Sequence, residues 1–125
     1  MQDRFKFRFF ETYNNTMLDC KDYDFNEILE NGKPVMQCTG LKDKNGKLIY
    51  EGDIISFNCT YRNKITNYKF AIVFFNGCFG VFTEINFEPL TQFLDYHCEN
   101  GKIVYDDCYA EVIGNIYENP ELLED

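Results

Sequence analysis

His97 stands beside Cys98, which places a base next to a nucleophile. In an extended chain, however, neighbouring residues point to opposite faces, so the two cannot share a proton without a bend. Adding Cys108 gives three nitrogen and sulfur ligands for zinc, but there is no Cys-x-x-Cys knuckle and the spacing fits no zinc motif. Asp106-Asp107 and the Glu118/Glu121 pair could in principle supply paired carboxylates for acid-base work. Their positions, in a turn and at a helix start, suit solvated charge better. No Gly-rich phosphate loop or nucleophile elbow occurs. The sequence thus assigns no catalytic residue, no metal ligand and no cofactor site, and an enzyme is not expected.

Charge layout is more informative. Between Asp53 and Glu84 there is no acid, and Arg62, Lys64 and Lys69 surround an expected hairpin tip beside Tyr61 and Tyr68. From residue 103 to 125 the sign reverses, with seven acids (Asp106, Asp107, Glu111, Glu118, Glu121, Glu124, Asp125) and no base. Tyr61, Arg62, Lys64, Tyr68 and Lys69 are therefore the candidate interaction residues. Bases interleaved with aromatic rings can stack on and neutralise single-stranded nucleic acid. The plainer reading is a solvated hairpin on an ordinary surface. The opposite charges would also let the hairpin dock head-to-tail on the acidic tail of another copy in a homo-oligomer. Over the whole chain, 21 acids against 12 bases give a net charge of −9, which disfavours loose attraction to nucleic acid and anionic membranes. The same charge would suit an acidic mimic of nucleic acid.

The elements that must hold these residues read as antiparallel β. Phe5, Phe7 and Phe9 alternate with Arg4, Lys6 and Arg8, giving an opening strand with an aromatic face and a basic, wet face. Residues 33–39 suggest another strand. Lys42 to Lys47 is a polar turn around Asn45-Gly46, leading to Leu48-Ile49-Tyr50 and a bend at Glu51-Gly52-Asp53. In the next strand Ile55, Phe57, Cys59 and Tyr61 share one face, opposite Ser56, Asn58 and Thr60. Tyr68 to Phe75 is apolar on both faces and predicts a central strand, turned by Asn76-Gly77 into residues 78–83, where Gly80 hints at a bulge. Residues 86–98 read as loop or short helix, and residues 103–105 and 110–117 close the sheet. Asp24 caps a short helix over 25–30, and Asn119-Pro120-Glu121 opens a short C-terminal helix.

With 125 residues and 22 Phe and Tyr side chains (13 plus 9), the chain can bury a core without disulfides or a metal. The expected fold is mainly β, a small antiparallel barrel or packed sheets. The six cysteines are widely spaced and read as reduced, buried small hydrophobes, and no export signal or membrane-spanning run is visible. A cytoplasmic protein is expected.

The run from Met36 through Gly40, Gly46 and Gly52 to Ile55, with the ending Val112-Ile113-Gly114-Asn115-Ile116-Tyr117-Glu118-Asn119-Pro120-Glu121-Leu122, resembles the YopX family of phage and prophage proteins. Lys6-Phe7-Arg8 matches as well, though the tryptophan that usually follows is missing here. The resemblance runs end to end. It implies a single domain over 1–125, with an N-terminal β region over about 1–40 and an SH3-like barrel portion over 41–125. It also implies phage or prophage origin and the bacterial host cytoplasm, and it brings no catalytic residues. The function expected is a non-enzymatic accessory module that binds a host or phage protein or itself.

Overall fold

The computed structural model describes residues 5–124, apart from the side chains of residues 61, 95–97 and 104–107. Arg4, Asp125 and the side chains of Tyr61, His97, Asp106 and Asp107 thus lie outside the described residues. The fold is mainly β and antiparallel, as the sequence predicts. Phe7–Glu11 (β1), Thr16–Asp19 (β2), Val35–Lys42 (β3) and Leu48–Tyr50 (β4) form a sheet in the order β2-β1-β3-β4. The alternation in β1 turns Phe7 and Phe9 toward Cys20, Ile28, Leu18 and Val35. Ile28 comes from a helix over Phe25–Glu30 (α1), and Asp24 caps it by accepting the amides of Asn26 and Glu27 at 3.0 and 3.3 Å.

The opposite face of β1 is not wet. Phe10 is buried there, its ring 5.1 Å from that of Tyr117, and Arg8 lies against Asp53, because elements far along the chain fold over this face.

Asp53–Tyr61 (β5) is the centre of a second sheet, flanked by Lys64–Ala71 (β6) and Glu111–Asn115 (β12). Val73–Phe75 (β7), Cys78–Phe82 (β8) and Phe87–Pro89 (β9) make a third in chain order. Leu94–Glu99 (β10) and Lys102–Cys108 (β11) pair as a hairpin. The central strand expected over 68–75 is instead two outer strands of different sheets, broken at Ile72. There the chain crosses over: Ile72 N–H donates to the Asp53 carbonyl, and the Ile72 carbonyl accepts from Gly52 N–H, both at 2.8 Å. This crossing curls the sheets around one core into half a barrel. The core comprises Ile49, Ile55, Ile72, Val81, Leu90, Phe93, Leu94, Cys108, Ala110 and Val112.

Three further expectations are corrected. Residues 86–98 hold β9, a 3-10 turn at Leu90–Phe93 and most of β10, with Pro89 ending an outer strand. Gly80 marks no bulge, since its register with β7 and β9 is unbroken. A Cβ there would collide with the Glu88 carbonyl and stand 2.6 Å from the Phe87 ring, so Gly80 is needed for close approach of backbone and ring. The C-terminal helix is a single 3-10 turn, Pro120–Leu123, and the Asn119 side chain does not cap it. Its Oδ1 accepts the Asn115 amide at 3.2 Å, because Asn119 is folded back over Gly114.

No two cysteines are bridged among the described residues. Cys20, Cys38 and Cys108 are buried as expected, but Cys59 and Cys98 are exposed and Cys78 is half-buried, since their strands run out beyond the core. No helix among the described residues is long and apolar enough to cross a membrane.

Candidate functional site

The predicted basic hairpin exists. Arg62 and Asn63 both take positive φ, 50° and 63°, in a two-residue turn between the paired positions Tyr61 and Lys64. The register shows what the sequence could not. Cross-strand partners share a face, so Lys64, Thr66, Tyr68 and Phe70 lie with Ile55, Phe57 and Cys59, while Lys69 lies with Ser56 on the other face. The five candidate residues therefore do not form one surface: Lys64 and Tyr68 share a face, Arg62 sits at the tip, and Lys69 is opposite. Tyr68 and Lys69 both line a shallow concavity with Glu84, Leu122 and Glu124, so the acidic tail lies along the molecule's own β6.

On the Tyr68 face the structure places a groove of about 630 Å³ that sequence reading missed. One wall is Phe57, Cys59, Tyr68 and Phe70 from β5 and β6, and the other is the segment from Thr83 to Glu88 with Gln92 and Phe93. The rings stand in rows. Phe57 and Tyr68 are stacked at 5.6 Å, Tyr68 and Phe70 at 6.0 Å, and Phe57 meets Phe93 at 5.0 Å. Ile85 forms the lip and is 91% exposed, a large apolar side chain with no cover. Glu84 and Glu88 also line the groove and make no salt bridge among the described residues. The period-2 alternation of β5 foretold the apolar wall, but the Thr83–Glu88 wall arrives through the β8–β9 connection, which carries no local signal.

The buried polar groups form a frame rather than a reaction centre. Asp53 receives the Arg8 Nη2 and the Tyr50 amide, each at 2.7 Å, and Arg8 also donates to the Glu51 carbonyl and lies 4.6 Å from the centre of the Tyr50 ring. Burial pushes the Asp53 carboxyl above the ordinary aspartate range, against the pull of the Arg8 charge and the Tyr50 amide. Asp43, equally buried, accepts the amides of Asn45 and Lys47 at 2.9 Å and that of Val112 at 2.9 Å, tying its turn to β12. Asn115 accepts the amides of Tyr117 and Glu118 and donates to the Glu118 carboxylate.

The side chains of His97, Asp106 and Asp107 lie outside the described residues, and the two cysteines of the zinc constellation are held apart. Cys98 pairs with Ile103 near the tip of the β10–β11 hairpin, whereas Cys108 pairs with Leu94 at its base and is buried. The Glu118 carboxylate accepts a hydrogen bond from the Asn115 side chain.

The profile of the YopX protein family matches residues 11–124. The chain belongs to the YopX protein family. Similar to this YopX chain is the crystal structure of protein EF1440 from Enterococcus faecalis, at 29% identity and a TM-score of 0.56, covering 95% of this chain and 97% of that one. No curated protein matches it. The run from Met36 to Ile55 and the ending from Val112 to Leu122, which carry the family resemblance, contain all three buried polar anchors, Asp43, Asp53 and Asn115.

Proposed function

We propose that this YopX-family chain is a non-catalytic accessory protein of a phage or prophage, acting in the host cytoplasm, that binds a protein partner through the Phe57–Phe93 groove. The observation that carries this reading is the groove itself. Its volume of about 630 Å³ falls in the range of ligand sites, its walls are aromatic, and its lip presents an uncovered Ile85. Glu84 and Glu88 in the same groove would repel phosphates, and Lys69 faces away from Tyr68, so the geometry favours protein over nucleic acid.

The test is a peptide-display selection on the immobilised protein, followed by affinity measurement on wild type and on Ile85→Asp, whose exposed site leaves folding intact. Peptides that bind wild type and lose at least about 10-fold on Ile85→Asp support the reading, since one apolar anchor is worth about 1–3 kcal/mol. Failure to enrich any peptide, or equal binding by the variant, overturns it. Labelled oligonucleotides titrated across salt decide the nucleic-acid alternative: tight binding that weakens steeply with salt and depends on Arg62, Lys64 and Lys69 would replace the protein reading.

A further inference from the structure

We infer that the groove takes an extended, basic-apolar segment: alternating aliphatic side chains against the ring rows, with Lys or Arg on Glu84 and Glu88. This inference rests on the binding reading above and adds the chemistry of the partner.

Charge points to a basic partner. The groove's two carboxylates make no salt bridge among the described residues, although Lys69 borders a neighbouring concavity with Glu84, and the wall opposite them, Phe57, Cys59, Tyr68 and Phe70, carries no charge at all. An incoming cation meets carboxylates that no salt bridge engages, and an incoming anion is repelled, most strongly at Glu88. Shape points to an extended partner. The wall belongs to a sheet, so its rings repeat every second residue, the spacing at which an extended strand presents side chains to one side.

The test uses two synthetic peptides of about seven residues, alternating Ile and Thr, one flanked by Lys and one by Glu. Fluorescence anisotropy is read on wild type, Glu84→Lys and the double variant Glu84→Lys/Glu88→Lys, each checked for folding by thermal melting. The Lys-flanked peptide is expected to bind wild type about 10-fold tighter than the Glu-flanked one, as two partly exposed ion pairs would give, with the preference shrinking in salt. The double variant should reverse that preference and Glu84→Lys alone should abolish it, which keeps the test decisive should the double variant fail to fold.

Equal binding of both peptides to wild type, lost on Ile85→Asp, overturns the charge inference and leaves the groove reading standing. If neither peptide binds, the inference falls, and the display selection decides the groove reading separately. Light scattering covers the remaining occupant: assembly of wild type that is broken by Glu84→Lys and also by Arg62→Glu/Lys64→Glu would mean that a second copy's basic hairpin fills the groove, which overturns a separate partner.

Discussion

Replacing Arg8 by Met removes the cation from a carboxylate that is 1% exposed. Met keeps an apolar stem of similar length, so the change removes the charge, its hydrogen bonds to Asp53 and the Glu51 carbonyl, and the guanidinium's place over the Tyr50 ring. Removing one partner of a buried pair costs about 3–5 kcal/mol, because the other charge stays buried and uncompensated. The Arg8 side chain is 12% exposed, and the Tyr50 amide still donates to Asp53, which sets the expected loss at the low end, about 3 kcal/mol. In urea, with a slope of about 2 kcal/mol/M, the midpoint should fall by about 1.5 M.

The pH dependence carries the sharper test. Asp53 already has its carboxyl raised by burial, and without Arg8 it rises further. The folded state then holds a proton over a window above the ordinary aspartate range, where the unfolded chain does not. Stability from this group is therefore full below the unfolded value and lost as pH rises through the folded one. The penalty of Arg8→Met should be largest at neutral pH and shrink as pH falls into the carboxylate range. Arg8→Met/Asp53→Asn, which keeps an acceptor for the Tyr50 amide, should be more stable at neutral pH than Arg8→Met alone. A loss under about 1 kcal/mol at neutral pH, a penalty that does not change with pH, or strict additivity in the double variant would refute the argument.

Gly80→Ala should destabilise by about 1–3 kcal/mol in urea denaturation, because the new Cβ meets the Glu88 carbonyl and the Phe87 ring at distances that backbone cannot yield. Asn119→Ala should cost about 1 kcal/mol through loss of the Asn115 amide bond, and peptide binding by the groove should be unchanged. Under native conditions iodoacetamide should modify Cys59 and Cys98 first and Cys20, Cys38 and Cys108 last, with Cys20 slowed further because burial and Asp19 push its thiol up. All six should be modified once the chain is denatured without reductant, and a bridged pair found by mass spectrometry would overturn that.

Local pattern made the strands, the α1 cap and the hairpin turns legible, since each depends on residues within a few positions of one another. Asp24 with its two amides and the Asn-Gly turns at 76–77 and 100–101 are of this kind. What stayed hidden depends on partners far along the chain. Arg8 reads as a wet strand residue until Asp53 arrives from 45 positions away, and Asp43 reads as part of a solvated turn until Val112 donates to it from 69 positions away. The groove is hidden for the same reason, because its second wall reaches β5 and β6 only after the chain has crossed at Ile72.

These two kinds of long-range contact are separated along the chain. Asp43, Asp53 and Asn115 lie inside the two motifs that carry the family resemblance: Asp43 ties the turn before β4 to β12, Asp53 holds Arg8 of β1 and the end of β4, and Asn115 closes the turn that follows β12. Every groove residue, from Phe57 to Phe93, lies between those motifs. The frame and the surface therefore answer to different side chains. A change at Glu84, Ile85 or Glu88 meets none of the buried anchors, so it can retune what the groove accepts without loosening the fold that presents it.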